Sequence, residues 1–220
     1  MITQIFRFLT SFMLSLLGCT SIIAQEDSTS SFNLVDRLNA SPIVQGNFRQ
    51  EQLMPDIEEP IISTGNFIFV DSLGIYWHVT NPAEFSTSFL SPQNDFRVNH
   101  SPQQPKAVQR VGQMLVSFLS GDTKEISRLF DMSLIETAGS WTAELRPKRR
   151  SVKKHLLLIT LTGDEAIRKI ILTSKDNNQT TIDFSDIHFS AGYSLELCTN
   201  IQNHLGLPRG CIVTQKPTSE

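Results

Sequence analysis

The sequence predicts a mainly β protein, an antiparallel meander interrupted by a helical insert. Three observations carry that prediction. Apolar residues recur at every second position in several stretches between residues 43 and 189, the signature of strands with one face wet. The connections between these stretches are too short for the crossovers that parallel strands need. After Pro105 the period switches, and Val108, Val111, Leu115 and Phe118 recur at helical spacing.

Residues 1–24 read as an address. Arg7 is the first charge and precedes the apolar run Phe8 to Leu17, which at about 1.5 Å per residue is too short to span a bilayer. A basic start, a short apolar middle and small residues after it describe a secretory signal peptide. Cleavage after Ala24 releases a soluble periplasmic chain, the reading we place first. Alternatively, Leu16-Leu17-Gly18-Cys19 forms a lipoprotein box, and Cys19 would anchor the chain to a membrane facing the periplasm. Residues 25–31 are polar and predict a loose tether.

Phe32, Val35 and Leu38 predict a short amphipathic helix over 31–40. From Ile43, Val44, Gly46 and Phe48 alternate with Gln45, Asn47 and Arg49 in a first strand. Residues 64–70 form a second, Asp71-Ser72-Leu73-Gly74 a turn, and residues 75–79 a third strand ended by Asn81-Pro82. Residues 84–90 and 94–99 predict two more. The helical segment then runs to Gly121, and a second helical turn covers Lys124 to Phe130. Strands resume at 140–145, 156–162, 166–173 and 180–189, with turns at Gly163-Asp164 and Asp176-Asn177-Asn178.

Such a meander curls because strands twist, so it has a concave face. By parity the inward side chains are Val44, Phe48, Phe67, Phe69, Ile75, Trp77 and Val79. With 14 Phe against two Tyr, the chain favours rings that have no polar group to satisfy. These residues line a cavity if the helices cover the face without filling it; otherwise they form an ordinary core. In an oxidising compartment Cys198 and Cys211 pair, closing a short loop worth about 3 kcal/mol; two free thiols are the other reading.

Several segments resemble the outer-membrane lipoprotein carriers, the LolA-like family. Leu34-Val35-Asp36-Arg37-Leu38 followed by Val44 and Phe48-Arg49-Gln50 is similar to that family's opening helix and first strand. Ser63 to Phe69, and Gly74-Ile75-Tyr76-Trp77 with Pro82, resemble its glycine-initiated strand and its Trp strand. Leu119 to Phe130, Trp141 to Pro147 and Ile159 to Ile187 are similar to a LolA-related branch associated with envelope-lipid and pigment biosynthesis. The likeness covers residues 32–189; 190–220 form an extension beyond it. It implies a half-closed antiparallel β-barrel whose helices cover an apolar cavity that shields acyl chains, with Val44, Phe48, Phe67, Phe69 and Trp77 among the lining residues. The family's turn before the Trp strand carries an Arg-Pro pair that holds the lid shut; here that turn has no arginine.

Removing residues 1–24 takes away one base and no acids, so the balance becomes 18 minus 22, or −4, which disfavours nucleic acid. Arg146, Lys148, Arg149, Arg150, Lys153 and Lys154 crowd one connection, either a docking point for anionic head groups or an acidic partner, at about 1 kcal/mol per charge, or a solvated hairpin tip. The histidines at 78, 100, 155, 188 and 204 show no metal-ligand spacing. No nucleophile elbow or phosphate loop occurs, so neither enzyme chemistry nor a cofactor is expected. Together with the signal peptide, the resemblance implies a monomeric periplasmic carrier of an acyl-chain lipid or lipoprotein, working between an inner-membrane donor and an outer-membrane acceptor. A Cys19-anchored interaction protein with a filled core is the alternative.

Overall fold

The computed structural model describes residues 41–91, 106–206 and Cys211. The expected signal peptide, tether and first helix, and the strand expected over 94–99, lie outside these residues. The first four strands are β1 (Ile43–Leu53), β2 (Ile61–Val70), β3 (Gly74–Asn81) and β4 (Phe85–Leu90). Two helices follow, α1 (Lys106–Leu119) and α2 (Thr123–Leu129). Five strands come next: β5 (Phe130–Thr137), β6 (Ser140–Pro147), β7 (Leu156–Gly163), β8 (Ile167–Ser174) and β9 (Gln179–Ser190). A short helix α3 (Arg150–Lys153) interrupts the β6–β7 connection, and α4 (Leu195–Gln202) follows β9.

All nine strands form one antiparallel sheet, ordered β4-β3-β2-β1-β9-β8-β7-β6-β5 and not closed into a barrel. It consists of two meanders, β1–β4 and β5–β9, joined where β1 pairs with β9 from Ile43↔Ser190 to Leu53↔Gln179. The turn between β2 and β3 places Ser72 and Gly74 at positive φ. A side chain on Gly74 would meet the Phe89 carbonyl oxygen at 2.1 Å, so glycine is what lets β4 pass this turn.

Strand alternation separates two cores. On the inner face Phe48, Phe67, Trp77, Trp141, Leu145 and Ile170 pack with Leu115, Val116 and Phe118 of α1. The Trp141 indole donates to the Asp164 carbonyl oxygen at 2.7 Å, which satisfies its polar atom inside the apolar layer. On the outer face Ile43 and Val70 pack against Leu197 and Ile201 of α4 and against Leu205. The segment after β9 thus covers the face of the sheet opposite to the one that α1 covers. Ser194 caps α4 by accepting from the Leu197 amide at 3.1 Å. Cys198 and Cys211 are bonded, with Cα atoms 5.8 Å apart.

One strand differs from expectation. Helical spacing of Ile126, Leu129 and Phe130 carries the predicted second helix through Phe130, yet that helix ends at Leu129 and Phe130 opens β5. Beyond Phe130, β5 is exposed on both faces apart from half-buried Leu134. It is an edge strand with no buried face to impose alternation.

Candidate functional site

The inner face has a packed half and a hollow half. The packed half lies under β1, β2 and β3. Phe48 and Trp77 stack with ring centroids 3.7 Å apart, and Phe67 meets Phe184 edge-on at 5.1 Å. Val44, Phe69, Ile75 and Val79 are buried among them. All seven side chains expected to face inward do so, and they belong to one core. Here the rings interdigitate around a void of about 20 Å³ bordered by Val44, Phe67, Leu119 and Phe184, room for about one water. Of the seven, only Val44 and Phe67 reach this void.

The hollow half lies at the other end of the sheet. A cavity of about 700 Å³ opens between the helical insert and the strand ends of β7, β8 and β9. None of the seven expected lining residues borders it. Met114 and Phe118 of α1 and Ile126 and Leu129 of α2 form its roof. Leu156 and Leu172 form an apolar floor, edged by Gln52, Ser174 and Thr180. The volume lies within the roughly 300–1,000 Å³ common for small-molecule sites.

The helices hold this roof through local chemistry. Asp122 caps α2 by accepting from the Glu125 amide at 3.0 Å. On α1, Gly112 lets the Phe89 ring lie where a β-carbon would be, 1.8 Å from Cδ1. This close approach seats α1 against β4 and the packed half. Sequence periodicity marks Leu115 and Phe118 as a helical stripe, but periodicity does not say over which part of a sheet a stripe sits.

At the cavity mouth the lining turns polar and charged. Arg128 donates from Nε to Glu125 at 2.7 Å, with a second contact from its Nη2. The hydrogen bond from Arg128 holds the Glu125 carboxyl below its ordinary value; slight burial opposes this, and the Arg128 and Arg149 charges reinforce it. Arg149, Ser151 and His155 complete the rim and are exposed. The expected basic cluster therefore meets the cavity at Arg149. Of its other members, Arg146 pairs with Glu144 at 2.8 Å and Lys148 with Asp131 at 3.3 Å. Arg150, Lys153 and Lys154 lie exposed on or beside α3. Among the described residues no group of three His, Cys, Asp or Glu converges on a common point.

The family profile described as outer membrane lipoprotein carrier protein LolA matches residues 40–194. The chain belongs to the LolA family. The match ends at Ser194, the cap of α4, so that helix and its disulfide lie beyond the LolA match. Among curated proteins none matches the chain. Solved structures similar to it include the complex of Pseudomonas aeruginosa MucA and MucB, at 14% identity and a TM-score of 0.43, covering 76% of this chain and 58% of that one. The chain thus spans less than two thirds of the MucB length. A LolA superfamily protein from Nitrosomonas europaea matches at 14% identity and a TM-score of 0.41, covering 73% of this chain and 92% of that one. An outer membrane lipoprotein-sorting protein domain from Vibrio parahaemolyticus matches at 8% identity and a TM-score of 0.38, covering 80% and 97%. No helix among the described residues is long and apolar enough to cross a membrane.

Proposed function

We propose that this LolA-family chain is a periplasmic carrier that takes up acyl chains of a lipid or lipoprotein in the cavity beneath α1 and α2. The observation that carries the reading is the cavity of about 700 Å³ with its apolar roof and floor. Burying an acyl chain is worth about 0.8 kcal/mol per CH₂, so a short length of chain in such a space holds a cargo firmly without covalent chemistry. The protein holds its cargo without covalent chemistry and is not an enzyme. It works as a monomer between an inner-membrane donor and an outer-membrane acceptor.

The cargo site belongs to the α1–α2 half and not to the aromatic residues of β1–β3. Those residues already satisfy one another through contacts such as the Phe48–Trp77 stack. The same packing favours the second reading, a membrane-anchored interaction protein built on a filled core, for that half of the sheet only.

Native mass spectrometry of the protein from a periplasmic extract, before and after organic extraction, tests the proposal. A bound species of lipid mass that disappears on extraction supports the carrier and names its cargo. An empty protein that also takes up no fluorescent acyl probe sinks the carrier reading in favour of the anchored one.

A further inference from the structure

The carrier reading leaves open which end group accompanies the acyl chain, and any head-group site rests on that reading. Four cations in the β6–β7 connection, Arg149, Arg150, Lys153 and Lys154, form no salt bridge among the described residues, although the Arg149 charge acts on Glu125. Arg149 lines the cavity, and the other three follow it on or beside the single turn of α3. Ser151, Val152 and His155, interleaved with these cations, also line the cavity. The one carboxylate on the rim, Glu125, is already paired with Arg128. Of the charged residues that line the cavity, Glu125 and Arg128 pair with each other, so the Arg149 charge is in excess at the mouth, and three more cations follow it on or beside α3, outside the lining.

We infer that the cavity and the β6–β7 connection form one bipartite site for an anionic amphiphile. The acyl chain lies between α1–α2 and the ends of β7 and β8, and its carboxylate or phosphate sits against Arg149, with the cations on and beside α3 next to it. Apolar burial supplies affinity without regard to the end group. The rim supplies selectivity, because a neutral head group gains nothing from these cations whereas an anionic one is drawn to Arg149 and its neighbours, an advantage of at least about tenfold for two contacts.

Binding of head-group pairs by the delipidated full chain tests this. The probes are a labelled 16-carbon fatty acid against the matching fatty alcohol, and lyso-phosphatidylglycerol against the monoacylglycerol of the same chain. The expected result is at least about tenfold tighter binding of the anionic member in one or both pairs, weakening as salt rises. Preference in the first pair alone assigns a carboxylate, in the second alone a phosphate diester, and in both a general anion site. The combined Arg149→Gln, Arg150→Gln, Lys153→Gln and Lys154→Gln variant should bind the two members of each pair alike. The charge-keeping Arg149→Lys and Arg150→Lys variant should retain the preference, which separates loss of charge from loss of fold. Equal binding of anionic and neutral probes by the unaltered protein overturns this inference and leaves the carrier intact. Failure of all four probes to bind overturns the carrier reading itself.

Discussion

Replacing Trp77 by alanine separates the packed half of the inner face from the hollow half. The indole is 7% exposed, stacks on Phe48 at 3.7 Å and meets Phe184 edge-on at 6.2 Å. Truncating a buried Trp to Ala costs about 3–5 kcal/mol, a range that includes the void left behind. Loss of its ring contacts with Phe48, Phe67 and Phe184 places this site toward the upper end, so we take about 4 kcal/mol. With an m-value of about 2 kcal/mol/M in urea, the midpoint should fall by about 2 M. Far-ultraviolet circular dichroism is the suitable probe, because the substitution removes one of only two Trp. The comparison is Leu172→Ala, a half-buried residue on the cavity floor. Its side chain already borders empty space, so truncation should cost less than about 2 kcal/mol, below the usual range for a sealed core, and should weaken binding of an acyl probe. The reverse ordering would refute the division. A Trp77→Ala protein with an unchanged midpoint and lost acyl binding would mean that the aromatic cluster is the cargo site.

Reduction, or Cys211→Ser, opens the loop that fastens α4 and should cost about 3 kcal/mol on the chain-entropy account of a 13-residue separation, read as a lowered urea midpoint. Gly112→Ala should destabilise by about 1–2 kcal/mol despite alanine's better helix propensity, because the new methyl enters the Phe89 ring; Phe89→Leu should recover most of the loss in a double-mutant cycle. His204 stacks on Tyr76 at 4.1 Å, and burial, aided by the nearby His78, lowers its pKa below 6.5. The unfolded chain then binds the proton more readily. This contribution to stability is full above about pH 6.5 and is lost as pH falls through the lower folded value, a loss that His204→Phe should abolish in urea titrations at pH 7 and pH 5.

Where a strand has one wet and one dry face, its inward residues were legible from parity. Val44, Phe48, Phe67, Phe69, Ile75, Trp77 and Val79 all reach the core because a pleated strand turns every second side chain to the same side. β5 escaped because an edge strand with both faces in solvent has no alternation, and Phe130 continues the spacing of α2. The large cavity escaped for a different reason. Its lining mixes short helices, strand ends and a basic connection, so Met114, Ile126, Leu172 and Arg149 share no period in the sequence. Whether covering helices fill a concave face depends on how close they approach it, and Gly112 against Phe89 is a contact no periodicity announces. The basic cluster was visible as composition; its place on the cavity rim required the third dimension.

The pairing of β1 with β9 makes the sheet a joint between two locally wired halves. Within each meander, hydrogen-bonded neighbours are also neighbours in the chain, while residues 43–53 must await 179–190. Closing that long loop costs entropy before any contact repays it, so the β1–β9 seam is the slow and reversible part of assembly. A chain severed between β4 and α1 would give two pieces whose shared ladder is this seam and whose inner core is also shared. Such pieces are suited to fragment complementation, and joining them would close the aromatic core at the same stroke, since Phe48 and Trp77 come from one piece and Phe184 from the other.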